Sequence, residues 1–291
     1  MIRIAIRIQS VLQNLIQTLV SSIRIVFLSK IHGGIPKLKL HNSCVILGNG
    51  PSLANSLQQH EQFVRATDAC AVNMFANTPW FTIIQPRFYV ILAPELWQDN
   101  APEHMKQEQT TLFSNIAKVT WDVYVYAPSF AKKSTYWKQF LLSNTHISMV
   151  WFNATPIEGF TWFKHMCFNT GIGMPRPHNI LTPALMMAIR QKYNEVYILG
   201  ADHSWLTELY VADTNDVYLT QKHFYDEQTA QAKHMYTTSY EKRKLHEILH
   251  KFMCAFSSYF EIQAYARTNG VKIWNATPGS FIDAFDRCKL S

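Results

Sequence analysis

Charge is scarce in this chain: only 16% of its 291 residues are Asp, Glu, Lys or Arg, against 48% hydrophobic. That balance excludes a disordered chain and is enough for one large α/β domain or two small ones. No block of five or more Lys/Arg occurs, and no nucleic-acid motif is present, which argues against nucleic acid as a partner. Cysteine is sparse as well. Cys44, Cys70, Cys167, Cys254 and Cys288 are far apart, with no CxxC pair. This argues against a disulfide framework and a zinc site, and for a reducing cytoplasm. The chain lacks a Walker loop, a GxGxxG fingerprint and a GxSxG elbow. His246 and His250 stand at i, i+4 around Glu247, a spacing that can hold a metal, but no third ligand stands near them in the sequence. The chain has no internal repeat. No metal site and no cofactor are expected.

What is present is an excess of positive charge, +7 with pI about 9.1, and eight Trp, 13 Tyr and 18 Phe. The charge fits anionic partners, and the aromatics fit a well-filled core. One stretch organises the reading. Cys44-Val45-Ile46-Leu47 runs into Gly48-Asn49-Gly50-Pro51-Ser52-Leu53, a pattern of strand, tight turn and helix start. Gly48 and Gly50 permit backbone torsions that other residues resist, and Pro51 suits a first helical turn. Such a turn directs backbone N–H groups and a helix dipole at whatever lies above the strand, and an anion is the natural guest. The same residues also read as no more than a connecting turn.

Residues 1–31 form a unit of their own. Ile4, Ile8, Leu12, Leu15, Leu19, Ile23 and Val26 recur at helical spacing, opposite Arg3, Arg7, Ser10, Asn14, Gln17, Ser21 and Arg24. Polar residues interrupt every window of about 20, which argues against a spanning helix. The pattern predicts an amphipathic helix lying on the cytoplasmic face of the inner membrane, a peripheral association with an anionic surface. A helix packed on its own domain or on a second subunit has the same pattern. Residues 32–36 read as a hinge, and 37–291 as one domain.

From residue 44 on, strands and helices alternate. Strands are expected at 44–47, 68–72, 88–92, 123–126, 147–151, 195–199 and 271–274. Helices are expected after residue 52 and at 102–117, 131–142, 179–192, 240–268 and 280–287. Residues 153–178 read as loop and 203–238 as an irregular, lid-length segment. This is an α/β pattern: a single Rossmann-like, mainly parallel sheet with helices on both faces. Ligands bind beyond the strand C-termini in such sheets, and polar residues gather there: Asn49, Asn73, Glu95, Gly200-Ala201-Asp202-His203 and Asn275-Ala276-Thr277. Each alone also reads as a turn or cap residue. On the lid, Lys222-His223-Phe224-Tyr225-Asp226 places a His among aromatic and acidic neighbours, suited to proton transfer.

The segments 45–53, Asn73, Ala93-Pro94, 179–192, 195–202 and 270–274, in this order, resemble the bacterial CMP-sialic-acid sialyltransferases of glycosyltransferase family 42. They are similar also to a wider group of CMP-keto-sugar (sialic acid or Kdo) transferases that share the Gly-Asn-Gly-Pro-Ser loop. The resemblance implies that Asn49, Gly50 and Asn73 contact the CMP part of a donor, with Gly48, Ser52, Gly200 and Asn275 around them, and that no metal is used. Ala93-Pro94-Glu95 replaces the family's Asn-Pro-Ser, and Asn179–Pro183 its Thr-Ser-Gly run. Its catalytic His aligns with no His here by simple spacing; His223 is the preferred replacement, with His234 and His250 as rivals. The expected activity is transfer of an acidic keto-sugar from a CMP donor to a glycan or lipid-linked acceptor in surface polysaccharide or lipooligosaccharide synthesis. An inverting scheme uses His223 as base, with the N–H groups of 49–53 stabilising the leaving phosphate. A retaining, Kdo-transferase scheme uses Asp202 as nucleophile with Glu95 or His223 as acid/base. Two further readings stand beside these: a pterin pyrophosphokinase-like enzyme built on the same loop, and a non-catalytic partner in polysaccharide assembly.

Overall fold

The computed structural model describes residues 2–31, 37–99, 103–225, 230–237 and 241–290. Its centre is an eight-stranded, wholly parallel sheet. The strands are β1 (Ser43–Leu47), β2 (Asp68–Val72), β3 (Phe88–Val90), β4 (Val123–Pro128), β5 (Ile147–Phe152), β6 (Glu195–Leu199), β9 (Lys272–Asn275) and β10 (Asp286–Arg287). Their order is β10-β9-β6-β1-β2-β3-β4-β5, so β1 lies between β2 and β6. Central strands buried on both faces read as continuous apolar runs, which is why Cys44–Leu47 and Ala69–Val72 carry no polar residue.

Side chains alternate between two cores. Cys44, Ile46, Cys70, Val72, Phe88 and Val90 pack under α6 (Leu181–Arg190) and α7 (Leu245–Thr268). Val45, Leu47, Ala69, Ala71, Tyr89 and Val125 pack on the opposite side, under α2 (Leu53–Arg65), the short α3 (Trp80–Ile84) and α4 (Glu103–Ala117). Helix α6 is apolar all round, and Leu181–Ile189 are all buried, as expected of a helix enclosed by its neighbours. At the opposite end of the sheet from the polar exits, buried Asp68 accepts from Leu40 N, His41 N and the Tyr193 hydroxyl at 2.8, 3.1 and 2.6 Å. That fixes the chain's entry into β1.

Several expectations are corrected. Residues 153–178 contain a helix, α5 (Thr161–Thr170), which Gly171 ends in a left-handed C-cap. The helix expected at 131–142 is two short turns, Ser129–Lys133 and Trp137–Leu141, with buried Ser134 between them. Residues 280–287 are not helical. They run as irregular chain with bends at 284–285 and close with β10 at the sheet edge, tied to the β6 exit by Ser280 Oγ on Ala201 O (2.7 Å) and Phe281 N on Asp202 O (2.8 Å). The lid-length segment is partly ordered. An antiparallel hairpin, β7 (Leu209–Val211) and β8 (Val217–Leu219), packs with Trp205 on Ile248 and Phe252 of α7. The hinge 32–36 and Asp226 lie outside the described residues.

The N-terminal helix α1 (Ile2–Leu28) docks by its polar stripe. Ser21 is fully buried; its Oγ donates to Glu158 O (3.0 Å) and accepts from Glu158 N (2.8 Å). Thr18 Oγ1 accepts from Phe160 N (3.1 Å), and Arg24 pairs with the Glu158 carboxylate (2.8 Å). Just past the helix, Lys30 N donates to Asn153 Oδ1 (2.8 Å). Arg24 is therefore turned to protein, contrary to its expected place at headgroups. Ile4, Ile8, Leu12, Leu15, Leu19, Ile23, Val26 and Phe27 are exposed. Also contrary to expectation, Ile4–Leu28, with a mean hydropathy of 1.5, is long and apolar enough to cross a membrane by length and composition. Ser21→Val strands two buried backbone groups of Glu158, so it should lower unfolding free energy by about 1–3 kcal/mol. Urea titration of full-length protein measures this, and an unchanged midpoint would show that α1 is not docked there.

Candidate functional site

The loop after β1 is crossed by the chain leaving β6. Gly48 N donates to Leu199 O (2.8 Å) and Gly50 N to Gly200 O (2.7 Å). The two backbones approach so closely that a Cβ on Gly48 would lie 2.5 Å from Gly200 O, and one on Gly50 2.1 Å from Asp202 Oδ2. Gly200 adopts φ +66°, a conformation that favours glycine. Asp202 then reaches back to the start of α2. Its carboxylate accepts from Ser52 Oγ (2.9 Å) and Ser52 N (3.3 Å). A carboxylate is well placed there, beside the positive end of the helix dipole.

This changes the meaning of the loop. Its N–H groups at 48, 50, 52 and 53 are all bonded within the protein, the last to Gly50 O at 3.1 Å. The anion at the helix start is the chain's own Asp202. Four N–H groups of the expected phosphate cradle are therefore used within the fold.

Asn49 sits differently. Its Nδ2 donates to Val72 O (3.1 Å), tying the β1 exit to the β2 exit, while its buried Oδ1 has no hydrogen-bond partner among the described residues. A buried acceptor without a donor is costly and marks a place for a ligand's N–H or O–H. Asn73, at φ +44°, is one of the non-glycine residues that tolerate the left-handed region. Its Oδ1 accepts from Leu92 N (3.3 Å) and its carbonyl from the Tyr89 hydroxyl, so three neighbouring strand exits are linked in series.

His223 is brought to this place by its neighbour. Phe224 N donates to Asn49 O (3.1 Å), and the Phe224 ring packs on Phe75, just past β2, with centroids 5.9 Å apart. His223 itself stacks on Tyr225 at 5.1 Å. Its rivals are elsewhere: His234 meets Val217 O (3.1 Å) on the hairpin, and exposed His250 is beside Cys254. Glu95, on the turn Pro94–Leu96, is exposed, and its charge is felt by Lys251 of α7. Asn275 is buried, with Nδ2 on Ile282 O (3.1 Å) and Oδ1 on Thr277 N (3.2 Å); both amide atoms are engaged in holding the C-terminal segment.

Sequence reasoning missed a basic group at the same end of the sheet: Arg176, His178, Arg243 and Lys251. They come from segments far apart in the chain, and no spacing rule connects them. It grouped His203 with the polar strand exits, but that residue is buried at φ +52°, with Nε2 2.6 Å from the Tyr259 hydroxyl and its ring 4.1 Å from Trp205. Burial pushes its imidazole down to about 3. No protein-family model matches the chain, and no curated protein matches it. Among solved structures, it is similar to the MAf glycosyltransferase from Magnetospirillum magneticum AMB-1, with TM-score 0.49 and 9% identity over 91% of this chain. The chain spans 37% of that protein's length.

The low pKa of His203 has a measurable sign. The unfolded imidazole takes a proton near its ordinary pKa, about 6.5, while the folded one stays neutral until about pH 3. Stability is therefore intact above about pH 6.5 and falls as pH drops from there toward 3. The melting temperature should decline over that range, and less steeply in His203→Asn, which keeps a residue suited to the left-handed backbone. Equal slopes would show that the ring is not buried neutral.

Proposed function

We propose that the chain is a glycosyltransferase that moves an acidic keto-sugar from a CMP donor to a glycan or lipid-linked acceptor. The observation that carries this reading is Asn49. It stands in a Gly-Asn-Gly-Pro-Ser loop at the switch point between β6 and β2, where parallel sheets bind nucleotides, and its buried side-chain oxygen has no partner among the described residues. Asn73 shares the crevice, and Phe224 closes over it. The amino group of cytosine and the ribose hydroxyls are donors of the kind that Oδ1 lacks.

In this scheme Asp202 holds the loop through Ser52, and His223, carried in on the Phe224 segment, takes the acceptor hydroxyl's proton while CMP leaves. The engagement of Asp202 with Ser52 is the reason to favour inversion over a covalent intermediate on that carboxylate. The outward apolar face of α1 supports a membrane as the working surface.

Calorimetry should show CMP bound in preference to UDP and GDP, and Asn49→Ala should weaken CMP by about tenfold, equivalent to ~1.4 kcal/mol. His223→Ala should leave CMP affinity unchanged and remove transfer. A preference for UDP or GDP would end the reading. In a flotation assay the full chain should rise with phosphatidylcholine vesicles, and a Leu12→Gln, Ile16→Gln, Leu19→Gln variant should stay behind; co-flotation of both would leave α1 without that role.

A further inference from the structure

One half-buried cation stands apart from any ion pair among the described residues. Lys251 has no hydrogen bond and no ion pair within 4.0 Å among the described residues, and burial and the nearby Arg243 push its ammonium below the usual lysine range. A partly desolvated charge without a partner is unfavourable unless something outside the fold completes it. Its surroundings are cationic. Lys251, Cys254 and Ser258 follow one another on one face of α7, and Ser258 Oγ donates to Arg176 O (2.9 Å). His178 N is bonded to the same Arg176 carbonyl (2.9 Å), and Arg243 precedes the first turn of α7, with Nε on Tyr236 O (3.1 Å).

The carboxylates in this region are committed or remote. Glu158 is held between Arg24 and Arg176, at 2.8 Å from each. Glu247 accepts from Lys244 N (2.8 Å) and stands 3.7 Å from Arg243. Glu95 acts on Lys251 only through its field. Burial, with the charges of Arg176, Lys251, His250 and Arg243, pushes the imidazole of His178 down, although part of that residue is exposed.

We propose that Lys251, with Arg243, Arg176 and His178, binds a phosphoryl group at the C-terminal end of the sheet, apart from the Asp202-filled start of α2. A phosphoryl group fits better than a carboxylate. It offers three oxygens and up to two charges to the Lys251 ammonium and to the guanidinium edges not used on Glu158 and Tyr236, whereas a carboxylate brings one charge. The site goes beyond the glycosyl-transfer reading and stands without it. Two sources can supply the group. One is the nucleotide, whose phosphate finds the N–H groups of residues 48, 50, 52 and 53 already used within the fold. The other is a lipid headgroup, since Glu158 joins Arg176 directly to Arg24 of α1.

The test begins with inorganic phosphate titrated calorimetrically into the full chain at low ionic strength. Binding should weaken about tenfold or more in Lys251→Ala, equivalent to ~1.4 kcal/mol, and be largely kept in Lys251→Arg, with unchanged circular dichroism in both. No phosphate binding to the parent protein, or equal binding to parent and Lys251→Ala, overturns the proposal. Two further arms assign the source. If the nucleotide supplies the group, the advantage of CMP over cytidine disappears in Lys251→Ala. If the lipid does, the variant loses the advantage of vesicles containing about one-fifth phosphatidic acid over pure phosphatidylcholine. Failure of CMP to bind at all ends the donor reading and leaves the phosphate result intact.

Discussion

The bond between the Asp202 carboxylate and Ser52 is the contact on which the rest of this site depends. It holds the end of β6 against the start of α2 and fixes the Gly48–Ser52 loop between them. The close backbone crossing at Gly48, Gly50 and Gly200 has room only for glycine, and the carboxylate occupies the helix start that would otherwise attract an external anion. With that position filled from within, the loop presents Asn49 rather than a row of amides. The side-chain oxygen of Asn49, beside Asn73 and the Phe224 segment, is left buried without a partner among the described residues. Positive charge enters from another direction, through α7 and the segment before α6.

The second constraint is the way α1 is seated. Amphipathic helices normally turn their apolar face to their own domain. This one turns Thr18, Ser21 and Arg24 inward, where Glu158 and Phe160 receive them. Polar contacts are directional, so they fix the helix in rotation and register, while the apolar face is left to the surroundings. The same Glu158 also holds Arg176. The seating of the helix and the position of Arg176 therefore share one carboxylate.

Much of the sheet was legible in the sequence. The run Glu195–Leu199 matches its strand end for end, and 123–126, 147–151 and 271–274 fall within a residue or two, because buried parallel strands have few ways to be written. The failures have local causes. Helix α5 was hidden by a weakly amphipathic sequence with a glycine close behind it. The segment 280–287 has a helix-like composition, but hydrogen bonds from Ser280 and Phe281 tie it to the β6 exit instead. At the site, the polar exits at Asn49, Asn73 and Asp202 were readable because strand ends are. What each does was not readable. Asp202 and Ser52 are 150 residues apart, and nothing in either stretch says that they bond. Arg176, Arg243 and Lys251 were invisible for the same reason. His203 and Asn275 show the reverse error: a polar residue at a strand exit is as readily buried and used by the fold as offered to a ligand.

The place of β1 between β2 and β6 has a consequence for how the molecule is made. At about 5–20 residues per second of synthesis, Ser52 emerges on the order of ten seconds before Asp202. Over that interval β1 can pair with β2, while its other edge and the start of α2 have no partner. The Asn49 side of the crevice is therefore among the last parts to become ordered. Pairing over such sequence separations is slow, and the incomplete chain carries an apolar α1 and an open central strand edge. A nascent chain in that state requires either a membrane for α1 or protection of the strand edge until β6 arrives.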